Sequence, residues 1–193
     1  MLKKLTMLTA ATAIVAGTAV AVDQNVDVLA TFRQALTLTK NQDIDFTNGA
    51  TPIEFAGTPA GTDTISMGSS GAIAYAGVAF SGPTTGTAGD VDIGGAATSA
   101  VNISCSTGAT LANASAATVA VNEVKLDMNT GAAYGSAAYT CAGVGTTPHS
   151  HTLDGTDKIL LGARIVGNAT IASGDYSSAL AGGTPVTVRA VYQ

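Results

Sequence analysis

The sequence predicts an all-β fold behind a cleavable signal peptide, and three observations carry the fold class. Apolar residues recur at every second position in almost every apolar stretch, which is the period of a half-buried strand and not that of a helix. Clusters of Gly, Pro, Asn, Asp and Ser separate these stretches, and several short strands so spaced make a sandwich or barrel, not a βαβ fold. The composition is 46% apolar but only 11% charged, with 23 Gly and no Trp. A quarter charged is usual, and a disordered chain needs high net charge with low hydrophobicity. The remaining reading is a folded domain whose surface is kept neutral by hydroxyls.

The first residues set the compartment. MLKK is a short basic head, LTMLTAATAIVAGTAVA is a 17-residue apolar stretch, and Ala19-Val20-Ala21 is a small-x-small cleavage site. As a membrane anchor the stretch is short, rich in Ala and Thr, and lacks a basic stop behind it. The expected division is therefore 1–21 signal peptide, 22–32 an extended N-terminal strand, and 33–193 one β-domain. Removing Lys3 and Lys4 leaves 6 basic against 13 acidic side chains, a net charge near −7. That excludes nucleic acid and anionic lipid as expected partners, since both need a basic surface.

Along the chain, Val26, Val28, Ala30 and Phe32 alternate with polar neighbours, and Leu36 and Leu38 continue the phase. Asp43-Ile44-Asp45-Phe46 precedes a turn at Asn48-Gly49. Ile73, Tyr75, Val78 and Phe80 are read as one strand, stopped by Ser81-Gly82-Pro83. Val101 and Ile103 lead into Cys105. In TVAVNEVKLDM, Val119 and Val121 hold one phase and Val124, Leu126 and Met128 the other, so a β-bulge is expected at Asn122-Glu123. Tyr139 and Cys141 alternate, Lys158–Val166 is a further strand, and ATLANASAA is too short and Ser-rich for a helix. The tail GGTPVTVRAVYQ places Val186, Val188, Ala190 and Tyr192 on one face of a last strand. Cys105 and Cys141, an even count in an exported chain, favour one disulfide over two buried thiols.

Three stretches, ATFRQALTLTKNQDIDF, LLGARIVGNATIASGDY and VTVRAVY, resemble the bacterial secreted domain-of-unknown-function family 4402. That family opens with a strand and an "LdFG"-like turn and closes with a "G-x-L-x-V … G-x-Y … V-T-V-x-Y" pattern. Here the turn reads Ile44-Asp45-Phe46-Thr47, and Gly162-Ala163-Arg164-Ile165-Val166 carries Arg where an apolar residue is common. Gly174-Asp175-Tyr176 and the tail follow the pattern. The resemblance spans essentially the whole mature chain and implies an exported, immunoglobulin-like antiparallel β-sandwich, akin to fimbrial subunits and spore-coat-U-type proteins. It brings no catalytic residues. The tail is also similar to chaperone–usher pilins, with Tyr192 penultimate and Gly182-Gly183 upstream at a different spacing. By that likeness a periplasmic chaperone or an outer-membrane assembly protein is a further partner.

Little in the sequence suggests chemistry. His149-Ser150-His151 puts two imidazoles on one side of an extended segment, near Asp154 and Asp157. Between Pro148 and Gly155 it reads as an exposed loop, with too few ligands for zinc. Asp43/Asp45 and Asp90/Asp92 each pair carboxylates on one face of a strand, but no loop has a calcium-site pattern. There is no Gly-x-Ser-x-Gly elbow and no separated Ser, His and Asp set, so no enzyme, cofactor or metal is expected. Asn102-Ile103-Ser104, Asn113-Ala114-Ser115 and Asn168-Ala169-Thr170 match the glycosylation pattern, which means nothing behind a bacterial-looking leader.

The expected function therefore sits at the chain ends. An extended segment with small-to-medium apolar residues at period two suits a groove between two sheets. Val26, Val28, Ala30 and Phe32 of one copy would fill the groove of the next, with the terminal strand at Val186–Tyr192 lining or closing it. Repeated head to tail, this makes a filament with the chain as its own partner. The alternative is a monomeric secreted or surface-attached binding module that uses the long loops Gly82–Gly95 or Gly143–Asp157.

Overall fold

The computed structural model describes residues 33–193, apart from 48, 50 and 138. The leader and the segment carrying Val26, Val28, Ala30 and Phe32 lie outside the described residues. Thirteen strands follow in chain order: β1 (Thr37–Gln42), β2 (Glu54–Phe55), β3 (Thr64–Met67), β4 (Ile73–Ala76), β5 (Phe80–Ser81), β6 (Gly89–Gly94) and β7 (Ala100–Cys105). The second half holds β8 (Ala109–Ala112), β9 (Thr118–Met128), β10 (Tyr139–Thr140), β11 (His149–Thr152), β12 (Asp157–Val166) and β13 (Val188–Tyr192). One short 3-10 turn, Tyr134–Ser136, is the only helical element among the described residues. The fold is all-β and every strand pair is antiparallel.

The strand β12 organises the larger sheet. Its alternation turns Ile159, Leu161, Ala163 and Ile165 inward, and all four are buried. One edge pairs with β9 along its length, while the other passes from β6, at Asp157–Leu161, to β3, at Ala163–Val166. At that handover sits Gly162, where an added Cβ would stand 2.4 Å from the Met67 carbonyl oxygen and 2.8 Å from the Ser69 nitrogen. With β1 beyond β6, β4 beyond β3, and β8 and β10 beyond β9, the sheet has eight strands. The expected bulge is present: Ile165 pairs with Val121 but Arg164 with Glu123, so Asn122 is the extra residue. Its side-chain oxygen accepts the Val166 N–H.

A smaller sheet runs β11-β7-β13. Its Val101, Ile103 and Cys105 are buried in one cluster with Ile93, Val124, Leu126 and Ile159 of the large sheet. The disulfide Cys105–Cys141, with Cα atoms 5.2 Å apart, ties β7 to the end of β10 and so joins the two sheets. The terminal strand thus pairs with β7 of its own chain, Val188 opposite Cys105 and Tyr192 opposite Val101.

Three expectations need correction. Ile73–Phe80 is not one strand: β4 stops at Gly77, whose φ is +81°, and Val78 is 86% exposed. Asp63, itself buried, causes the break by accepting the N–H groups of Ala60, Val78 and Ala79. These bonds, those to Ala60 and Val78 foremost, also hold its carboxyl below the ordinary range. Gly82–Gly95 and Gly143–Asp157 are not long loops either, for they contain β6 and β11. The segment at His149–His151 belongs to β11 and its imidazoles are half-buried, because pairing with β7 turns both toward the interior. ATLANASAA supplies β8 and a turn in which the buried Asn113 accepts the Ser115 and Ala117 N–H groups.

Two stability measurements test this architecture. Cys105→Ala/Cys141→Ala should lower unfolding free energy by about 3–4 kcal/mol in urea titration. Gly162→Ala should cost about 2–4 kcal/mol because backbone, not a flexible side chain, meets the new methyl; an unchanged midpoint would refute the close approach.

Candidate functional site

An eight-stranded sheet is wider than the three-stranded sheet that faces it, so part of its apolar face extends beyond the smaller sheet. The uncovered part is a groove of about 1350 Å³. Its floor is built from Val91, Leu161, Ala163 and Ile165, together with Leu111, Val119 and Val121. Two walls border it on opposite sides of the sheet. On the β1 side stand Leu38, Ile44, Phe46 and Ile53, and on the β8 side stand Ile171, Tyr176, Pro185 and Val186. The second wall is held by bridges from β8, Thr110 to Thr184 and Ala112 to Ser177.

Val188 of β13 lines the groove, whereas no residue of β7 or β11 does. The groove therefore lies on the side of β13 that faces away from β7. On that side β13 has no strand partner among the described residues. An apolar slot bordered by an unpaired main-chain edge accepts an extended peptide: side chains enter the slot while N–H and C=O groups complete the sheet. Leu38 is 38% exposed for the same reason, since it faces the open slot from an edge strand whose six residues are all exposed.

The terminal-strand residues divide in function. Val188, Ala190 and Tyr192 point inward from β13 and Val186 precedes it, but only Val186 and Val188 line the groove. Tyr192 anchors the start of the described chain instead. Its hydroxyl accepts the Ala96 N–H at 2.7 Å and donates to the Gln34 carbonyl at 2.8 Å. The Arg33 guanidinium stacks 5.4 Å from its ring and donates to the Gln193 carbonyl. Arg33 and Gln34, the first described residues, are thus fixed beside the end of β13.

The other candidate groups are used structurally. Asp43 pairs with Lys40, Asp45 accepts the Thr47 N–H and hydroxyl, and Asp90 and Asp92 share Lys158. Arg164 pairs with Glu123 at 2.7 Å. Among the described residues no group of three or more His, Cys, Asp or Glu could hold a metal ion. The imidazole of His151 lies 2.6 Å from Asp157, whose side chain is fully buried. Burial pushes the Asp157 carboxyl up, but hydrogen bonds from His151, Asp154, Asn129 and Gly155 outweigh it and hold the pKa at about 2. His149 packs 5.0 Å from the Tyr139 ring, and burial, then the neighbouring His151, lower its pKa.

The groove floor escaped sequence reading because covered and uncovered strands alternate identically. Ile171 and Tyr176 sit in a Ser- and Gly-rich stretch that reads as plain loop.

The two shifts give opposite ends of an acid profile. Asp157 contributes stability above pH 3.8 that is lost as pH falls through about 2. His149 binds its proton more readily unfolded, so stability falls as pH drops below 6.5. In urea titrations across pH, His149→Gln should flatten the slope between pH 5 and about 7. Asp157→Ala should cost about 2–4 kcal/mol at neutral pH by orphaning buried donors. The chain matches no family model, no curated protein and no solved structure.

Proposed function

We propose that this chain is an exported structural subunit, an immunoglobulin-like sandwich completed by a strand from a neighbouring copy. Head-to-tail repetition of that contact builds a pilus-like filament or surface layer. The observation that carries this reading is the apolar groove beside an edge of β13 that has no strand partner among the described residues. The segment 22–32 matches it in kind: Val26, Val28, Ala30 and Phe32 form one apolar face. It is also long enough, since eleven residues fully extended reach about 36–40 Å and β13 has five residues. The likeness to family 4402 and to fimbrial subunits belongs to the same proposal, as does export by the leader.

One observation favours a second reading. Arg33 and Gln34 are held at Tyr192 and Gln193, beside the end of β13, and a first strand that stays within its own chain would run on from there. In that case the protein is a monomeric secreted or surface-attached binding module with an internal first strand.

The native secreted protein should give a ladder on a denaturing gel that collapses on boiling, and thin filaments in negative stain. A single monomer band under both conditions, without filaments, supports the monomeric module instead. Chain lacking 22–32 should remain monomeric, and its Tm should rise when a peptide of that sequence is added. Val28→Lys in the full chain should reduce the ladder at least about tenfold, because a buried unpaired ammonium is too costly.

A further inference from the structure

The strand β11 is pinned at both ends and held between them by two imidazoles. Before it, the Gly143 N–H donates to the Cys105 carbonyl and the Gly145 N–H to the Ser104 hydroxyl. After it, the buried Leu153 donates its N–H to the Ser99 carbonyl and accepts the Thr98 N–H. In between, β11 is an edge strand, and β7 is its one strand partner among the described residues. Its contacts with the large sheet are made by side chains. The His149 ring lies 5.0 Å from that of Tyr139 on β10, and the His151 Nε2 lies 2.6 Å from Asp157 at the start of β12.

These two imidazoles respond oppositely to a proton. His151 faces a buried carboxylate that stays ionised, so a proton on its ring strengthens the bond. No carboxylate faces His149 among the described residues. Around it stand the apolar Val101 and Ile103 of β7, the uncharged phenol of Tyr139 and, two residues along its own strand, His151. Asp157 is already taken by the His151 ring, the Asn129 amide and the N–H groups of Asp154 and Gly155. The nearby Lys158 pairs with Asp90 and Asp92, Asp154 binds Thr156, and Arg189 of β13 is exposed.

We infer that β11 is an acid-released flap: in a mildly acidic medium its His149 end leaves β7 and the Tyr139 ring, while its His151 end stays clamped on Asp157. A proton on His149 makes a half-buried cation with no anion and a second imidazole on the same face, and that state is costly. Opening returns the ring to water and to its ordinary proton affinity, so acid draws the open form. Burial, and then His151, lower the proton affinity of His149 in the closed form, which is the direction this coupling requires. The movement is confined between Gly145 and His151, and Pro148 inside that stretch has no N–H to leave unpaired. Release uncovers the Tyr139 ring and the main-chain edge of β7 at Asn102 and Ile103, while β13 keeps the other edge paired. No residue of β7 or β11 lines the apolar groove, so the flap is independent of strand complementation.

Amide hydrogen exchange in the full mature chain tests this, with β11 compared against β12 in the same sample after correction for intrinsic rates. Between pH 7 and pH 5 the protection of His149 and Ser150 should fall at least about threefold relative to that of Ile159–Ile165, while Leu153 keeps step with β12. The nuclear Overhauser contact between the His149 and Tyr139 rings should fade over the same range. His149→Phe, which keeps a ring on Tyr139 and takes no proton, should hold the ratio constant. Protection that falls equally in β11 and β12 would mean that the whole domain loosens, and the flap is overturned. A His149→Phe chain that shows the parental fall, or opening that starts at His151, overturns it as well. Should His149→Phe fail to fold, the ring contact in the parent decides, and its persistence to pH 5 refutes release of the His149 end.

Discussion

The inner face of β12 is apolar from Ile159 to Ile165, and the smaller sheet covers only one end of it. Much of the rest of the structure follows from that mismatch. At the covered end, Ile159 is buried among Val101, Ile103 and Leu126, and the disulfide holds the two layers together. At the other end, Leu161, Ala163 and Ile165 floor a slot walled by the short strands β1, β2 and β5 and by the irregular stretch from Ile171 to Val186. The floor residues Leu161, Ala163 and Ile165 are themselves buried at the bottom of that slot.

Polar groups inside the fold show the opposite economy. Asp63, Asn113 and Asp157 are buried, and each is saturated by backbone N–H donors or a side-chain partner. They hold turns, so the chain reverses direction without leaving main-chain groups unpaired. The outer face of the large sheet concentrates its charges in two knots, Lys158 with Asp90 and Asp92, and Arg164 and Lys125 with Glu123. Lys125 and Arg164 also lie over the Tyr134 ring.

Fold class, most strand positions, the bulge at Asn122 and the cysteine pair were legible because each leaves a local mark: alternation, a phase slip, an even count. The break at Gly77 was not, since the residue that forces it, Asp63, is remote in sequence and acts through backbone bonds. The imidazoles at His149 and His151 looked exposed because Pro148 and Gly155 flank them; pairing with β7 made them half-buried. The groove was illegible for a deeper reason. Whether Ile165 is covered by a sheet or by a loop depends on how many strands face it, and no local pattern encodes that number.

The junction at Tyr192 has a mechanical meaning. If tension passes from one copy to the next through the 22–32 segment, it leaves at Arg33 and arrives along β13, and these two points meet at the same ring. Should a subunit nevertheless be pulled open, the bond between Cys105 and Cys141 withholds 36 residues from extension, shortening the released chain by about 120 Å. The same two cysteines that join the sheets at rest would set the stretching length of the subunit under force.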